Sequence, residues 1–266
     1  MLKARDGVAA PRARQSVQSV ERTLDLVEAL AAAAGEVSIT SLAARTGLHV
    51  STVHRLLATL VRRGYVRQNR DTARYYLGAK LAIVAEGAPR YAELRLHARA
   101  VLRQLTDLAD ETSNLVVLED GAALYIDQVE CTQVVRLFNA VGNRVPPHCT
   151  AAGKVLLAWL PEEQRKPILD RLELRAYTPR TATTRSAVTS ALELVRRGGY
   201  ALDEEEYMDG VRCIAVPVLA NGGAVAALSI SAPAVRLPRP RAVELLPAMR
   251  KAASDLAARL AQNRAT

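Results

Sequence analysis

The residues of this chain best equipped for chemistry gather between positions 148 and 231. They are His148 and Cys149, Gly153-Lys154, the acidic run Asp203-Glu204-Glu205-Glu206, Cys213, and the serines Ser229 and Ser231. An imidazole beside a thiol supplies the parts of a nucleophile–base pair, but adjacent residues in extended chain face opposite ways and cannot serve each other. Gly153-Lys154 resembles the end of a phosphate-binding loop, yet the G-x-x-x-x-G spacing that cradles phosphates is missing. Glu204–Glu206 read as a solvated turn, whereas Asp203, next to apolar Leu202, can point inward. A small-molecule enzyme using Cys213 or Asp203, or a metal held by Asp203, Cys213 and His148, is conceivable from residue types. No local ligand spacing supports either, so neither a metal nor a cofactor is implied. Ser229 and Ser231 are two apart on a strand-like run and so share one face. Buried hydroxyls need partners; a small polar ligand in an apolar cavity would supply them, and so would neighbouring backbone.

A second chemistry lies in residues 46–66, "TGLHVSTVHRLLATLVRRGYV". At helical spacing, Val53, Leu57 and Leu60 share one face, with Val50, Leu56 and Val61 at its flanks. Ser51, Thr52, Arg55, Thr59 and Arg62 lie opposite. Hydroxyls and guanidinium groups on an exposed helix face are donors to base edges and phosphates rather than catalysts.

The elements that must carry these residues follow from apolar periodicity and turn signals. Val20, Leu24, Val27 and Leu30 recur as on a helix, which Gly35 ends. Thr40 can cap a short helix holding Leu42, and Thr46-Gly47-Leu48 makes a tight turn into the helix that reaches about Arg63. "YVRQ" and "RYYLG" are two short strands around the polar loop "NRDTA". Three helices and a hairpin make a winged helix-turn-helix, whose third helix reads the major groove, with Arg70 and Arg74 in the wing on phosphates. A winged helix used for protein contacts remains the other reading.

Further on, "GAKLAIVAEGA" is a short apolar helix before Pro89, followed by a long one over about Tyr91–Asp110. "NLVVLED" and "ALYIDQV" form a hairpin around Asp120-Gly121, and "QVVRLF" reads as another strand. "AAGKVLLAWL" and "SALELVRRGGY" are helices, Cys213–Ser231 a hairpin, and Pro240–Asn263 a closing helix. Hairpins with helices between and after them imply an α+β domain with a largely antiparallel sheet.

Bulk properties bound these readings. Within 266 residues, positions 1–80 carry 13 Lys+Arg against 6 Asp+Glu, and the remainder 23 against 21. A basic first third beside a near-neutral remainder suits a polyanion partner for one part alone. Cys131, Cys149 and Cys213 make an odd set without C-x-x-C, which suits a reducing cytosol. The N-terminal residues 1–15 are Arg- and Ala-rich without an apolar core, so they read as a basic arm and not a secretory signal. Cys213 to Val235 is 23 residues without a charge, long enough to span a bilayer. Pro217, Asn221-Gly222-Gly223 and Pro233 interrupt it, so it reads as a buried hairpin, and no membrane partner is expected.

"TGLHVSTVHRLLATLVRRGYV", "RYYLG", "DETSNLVVLEDGAALYIDQVE", "HCTAAGKVLLAWLP", "RRGGYALDEEE" and "GVRCIAVPV…ALSIS", in that order, resemble the IclR-type bacterial transcriptional regulators. The resemblance runs from about Val17 to the C-terminal helix. After the basic arm at 1–15, it implies a winged helix-turn-helix at 16–78, a dimerising linker helix at 79–92 and a GAF-like effector-binding domain at 93–266. Such proteins are homodimers or dimers of dimers on palindromic double-stranded operators, and mostly repressors. The resemblance also places effector contacts at Ala151 and Ala152, Asp203, Cys213, Ser229 and Ser231, with Val134 at an apolar wall. It places no Arg or Lys there, which implies a small neutral or mono-carboxylate effector. One departure is His49-Val50, where the family often has Pro and a basic or polar residue.

Overall fold

The turn between the second and third helices hinges on Gly47, whose φ of 68° is left-handed and closed to most side chains. The structure, a computed structural model, describes residues 17–33, 35–86, 89–137, 141–220 and 222–262. The arm expected at 1–15 lies outside these. The chain forms two compact units, Met1–Pro89 and Arg90–Thr266.

The first unit contains α1 (Gln18–Ala32), α2 (Ile39–Thr46), α3 (Val50–Arg63), β1 (Val66–Gln68), β2 (Tyr75–Leu77) and α4 (Lys80–Glu86). Leu26 and Leu30 of α1, Leu42 of α2, and Val53, Leu57 and Leu60 of α3 close one core with Val66 and Tyr75. The cap of α2 is Ser38, not Thr40: Ser38 has extended backbone and its hydroxyl accepts the Ser41 N–H at 3.2 Å. Thr40 is already inside the helix, with its hydroxyl 3.0 Å from that of Ser38. β1 and β2 pair antiparallel. Val37 adds a bridge to Tyr75 through two bonds of 2.8 Å.

The second unit is a sheet between two helical layers. Its helices are α5 (Pro89–Ala109), α6 (Ala151–Ala158), α7 (Glu162–Arg171), α8 (Arg185–Gly198), α9 (Arg239–Glu244) and α10 (Leu246–Gln262). Its strands are β3 (Thr112–Glu119), β4 (Ala122–Val129), β5 (Arg144–Val145), β6 (Ala201–Glu204), β7 (Val211–Ala220) and β8 (Gly223–Pro233). They pair antiparallel in the order β5-β4-β3-β8-β7-β6. Alternation sorts the side chains. Leu115, Ile214, Val216, Leu228 and Ile230 join Leu102 of α5 and Met249 and Leu256 of α10 in one core. Val116, Tyr125, Ala215 and Ala227 join Val155 and Leu157 of α6 and Leu192 of α8 in the other. Two covered faces explain why β7 and β8 carry almost no charge, since a strand buried on both sides needs no polar alternation; Val235, past the end of β8, is 90% exposed. Among the described residues no helix is long and apolar enough to cross a membrane.

Some expectations fail locally. The "QVVRLF" strand is absent: its described residues, 133–137, are irregular, because Val134 and Val135 have no neighbouring strand and stand exposed. The closing helix is two, α9 and α10, broken at Leu245 just ahead of Pro247. β5 and β6 carry too few residues to show a period, and the ten residues of α7 include none that is buried.

Candidate DNA-reading face and effector site

The polar face of α3 is presented as its spacing demands. Ser51, Arg55, Thr59 and Arg62 are exposed and Thr52 is half-buried, opposite fully buried Val53 and Leu57. Thr59 turns back on its own helix, donating to the Arg55 carbonyl at 3.3 Å. The guanidinium groups of Arg55, Arg62 and Arg70 make no hydrogen bond or ion pair among the described residues. Exposed cations without an internal partner are free to meet phosphates.

Glu36 shapes the turn that bears Arg70 and Arg74. Its two carboxylate oxygens accept from Asn69 Nδ2 at 2.6 Å and Thr72 Oγ1 at 2.8 Å. Asn69 Oδ1 in turn accepts the Asp71 and Thr72 N–H groups at 2.9 and 3.3 Å. These bonds, with the nearby Arg74 charge, hold the Glu36 carboxyl below the usual carboxylate range.

In the second unit the strand register assembles what the sequence scatters. Asp203 on β6 pairs with Cys213 on β7, Cys213 with Ser231 on β8, and Ser231 with Thr112 on β3. The next row runs Ala201, Ala215, Ser229, Asn114. Asp203, Ser229, Ser231, Thr112 and Asn114 are buried and Cys213 is half-buried. Ala151 and Ala152, at the start of α6, pack into the cluster that holds Ala215 and Cys213. A Cβ on Gly153 would run into the backbone of Pro147, so "AAGK" is the close approach of a helix to the preceding loop.

The serines do not bond to neighbouring backbone among the described residues. Their oxygens accept from Asn114 Nδ2, at 3.4 Å for Ser229 and 3.2 Å for Ser231, and Cys213 Sγ donates to Ser231 at 3.2 Å. Asn114 Oδ1 is buried without a partner among the described residues. Around this core Lys154 donates to Glu206, and Glu206 N–H donates to Asp203 Oδ1 at 2.8 Å. His148, Tyr177 and Tyr207 adjoin in series with tilted rings, their centroids 6.2 and 5.1 Å apart. Sequence reading missed Asn114, weighed Lys154 only as part of a phosphate loop, and took Glu206 for part of a solvated turn, whereas its side chain is 16% exposed and paired with buried Lys154. Asn114 had one signal, a polar residue within an otherwise apolar strand.

The electrostatics disfavour a nucleophile. Burial pushes the Cys149 thiol up to about 12, and burial with the nearby Asp203 charge raises the Cys213 thiol too. A reactive thiol needs the opposite shift. Burial also lifts Asp203 to about 7, against the lowering pull of the Glu206 N–H. Among the described residues no three His, Cys, Asp or Glu side chains are grouped to hold a metal ion.

Val134 is not part of this cluster. It is 94% exposed on the irregular segment after β4, so it forms no apolar wall here. A cavity of about 960 Å³ opens instead at the hairpin end of the sheet, lined by Leu118, Gly121, Ile168, Leu172, Ala224 and Leu260 among others, and by none of the expected effector residues. Space alone does not make a specific site; convergent polar groups do, and these lie in the Asp203–Ser229 rows.

A winged helix-turn-helix whose third helix exposes arginines without a partner among the described residues, together with a second, sheet-containing unit that buries a polar cluster, defines a DNA-binding transcriptional regulator of modular build. The chain belongs to the IclR family: residues 89–258 match the family model "Bacterial transcriptional regulator IclR C-terminal", and residues 19–70 match "IclR helix-turn-helix domain". The acetate operon repressor of Salmonella typhimurium is 38% identical over 243 residues, covering 90% of this chain and 89% of that protein. The crystal structure of the Thermotoga maritima IclR superposes with a TM-score of 0.73 at 28% identity, covering 91% of this chain and 98% of that one. An IclR homolog from Microbacterium hydrocarbonoxydans, complexed with 4-hydroxybenzoate, gives 0.69 at 25% identity, covering 93% of this chain and 100% of that one.

Proposed function

We propose that this chain is a cytoplasmic repressor that grips a palindromic operator as a homodimer or dimer of dimers. Its grip is set by a small neutral or mono-carboxylate metabolite held among Ala151, Ala152, Asp203, Cys213, Ser229 and Ser231. One observation supports this above others: two serine hydroxyls, an amide and a carboxyl line up inside an apolar core, with hydrogen-bonding capacity left over. Natural cores pair such groups, so the surplus fits a ligand. The Microbacterium relative with its bound hydroxy-acid supports the choice of ligand class. The chain does no catalysis in this reading, since burial raises the Cys149 and Cys213 thiols and so disfavours the thiolate a nucleophile needs.

On DNA, Ser51, Thr52, Arg55 and Arg62 face the bases and adjoining phosphates, and Arg70 and Arg74 hold backbone phosphates. The effector acts only through unequal affinity for the DNA-competent and incompetent arrangements of the oligomer.

Fluorescence anisotropy of the full chain on DNA from its own upstream region tests both halves. Arg55→Ala is expected to lose about 1–3 kcal/mol of specific binding while random duplex binding changes less. Ser229→Ala with Ser231→Ala is expected to bind operator normally and ignore the acid that releases wild type. An Arg55→Ala protein that binds both duplexes as wild type does would defeat the docking geometry. A double mutant that still responds would move the effector elsewhere.

A further inference from the structure

Asp203, Ser229 and Ser231 are at most 2% exposed, and Cys149, close enough to Asp203 and Glu206 to feel their charges, is fully buried. A metabolite arriving from solvent must displace part of the chain before it meets these groups. The strands and α6 cannot give way without breaking a core. The segment between α7 and α8, residues 172–184, can. Thr178 and Thr181 are its only buried side chains; Leu172, Leu174 and Ala182 are half-buried and the others exposed.

Those two threonines tie the segment to the acidic turn after β6. Thr178 Oγ1 donates to the Glu205 carbonyl at 2.7 Å, and Thr181 Oγ1 donates to the Glu206 carbonyl at 2.6 Å. In return Thr181 Oγ1 accepts the Tyr177 and Thr178 N–H groups at 3.0 and 2.9 Å, and Thr178 Oγ1 accepts the Arg180 N–H at 3.1 Å. Backbone N–H groups only donate and carbonyls only accept, so both hydroxyl protons are committed to the turn. The turn needs holding, because Glu205 has a left-handed φ of 64°, which crowds any residue with a side chain. Next to it, the Glu206 N–H donates to Asp203 Oδ1 at 2.8 Å and the Glu206 carboxylate takes Lys154 of α6. Tyr177 lies against His148 and Tyr207, and close enough to Cys149 for that thiol to act on it. The remaining polar ties are a 3.4 Å contact of the Arg175 carbonyl with His148 Nε2 and an exposed Arg180–Glu205 ion pair of the kind that adds little.

We infer that residues 172–184 are the gate of the buried polar cluster, and that Thr178 and Thr181 are positioning residues that latch it to the acidic turn. Latched, the gate holds Glu205 in its left-handed conformation and Glu206 beside Asp203. Released, it swings on its half-buried ends, and the turn relaxes away from Asp203 and Cys149. The inference rests on the effector site proposed above and adds its way in.

The test follows maleimide labelling of Cys149 in the full-length chain, resolved by peptide mass. Cys131, buried just past the end of β4 beside Thr112, is the internal reference. Thr178→Val with Thr181→Val keeps the branched shape and removes both hydroxyls. It is expected to speed Cys149 labelling by about tenfold or more, as two lost hydrogen bonds allow, and to leave Cys131 unchanged. Serine at both positions keeps the hydroxyls and should restore the wild-type rate. An unchanged Cys149 rate overturns the gate, and so does equal acceleration of both thiols, which is what general destabilisation would produce. If the valine pair does not fold, wild type decides. The opening constant from hydrogen exchange at the Tyr177 and Thr178 amides must equal or exceed that from Cys149 labelling, because both pass through one opening. A smaller constant means that the thiol is reached another way, and the gate falls. No ligand enters these rates, so the gate can fail while the effector site stands, and the acid response of the serine pair bears on that site alone.

Discussion

Asp203 shows how burial alone can make a side chain respond to pH. Its carboxyl ordinarily ionises near 3.8 and here is lifted to about 7, chiefly by burial. Between those values the folded chain keeps a proton that the unfolded chain has released. Stability is therefore full below about 4, falls as pH rises towards 7, and is level above it. Asp203→Asn cannot ionise, so its melting temperature should vary less with pH across this window than that of wild type. A mutant curve with the wild-type slope would show that Asp203 is not the group responsible. The same shift bears on ligands, because a protonated Asp203 would not repel an acid and an ionised one would. Cys213, Ser229 and Ser231 were legible in sequence as small or polar residues within apolar strands, and Asp203 only as the one acid of its run with an apolar neighbour. Asn114 became a partner only through the pairing of β3 with β8, between residues 115 positions apart, and no periodicity encodes that.

Among the elements, the wing offers a test in which two physical effects oppose each other. Glu36 is an acid close to the proposed DNA face, so counterion arguments alone say that removing it should tighten binding. Its bonds to Asn69 and Thr72 say the reverse, because they shape the turn that bears Arg70 and Arg74. Glu36→Ala is expected to bind operator and random duplex more weakly at fixed salt. Tighter binding of both would mean that the turn keeps its shape without the clamp. The helices α1, α2 and α3 were readable because each shows one apolar stripe closed by glycine or a tight turn. The "QVVRLF" segment was misread because Val134 and Val135 look like strand residues. β propensity describes fit to a half-buried pleat, and no neighbouring strand is offered there.

At the scale of the whole molecule, the basic first third and near-neutral remainder divide the labour between the two compact units. If two copies hold two half-sites, the second unit supplies the coupling that turns weak single contacts into tight binding. A fragment of residues 1–89 should therefore bind the operator far more weakly than the full chain, by about 10²-fold or more at equal salt. Equal affinity in the same titration would remove the need for oligomerisation. Taken alone, the sequence determined the helix-turn-helix, the exposed donors of α3, the two long hairpins, and the reading of Cys213–Ser231 as a hairpin and not a membrane span. All of these depend on local spacing, which survives without a partner. Tertiary structure decided the strand order, the alignment of Asp203, Cys213 and Ser231 beside Asn114, the closure of α6 on Pro147, and the exclusion of Val134. Those depend on which surfaces meet across long stretches of chain, and burial settles that only when both sheet faces are covered at once.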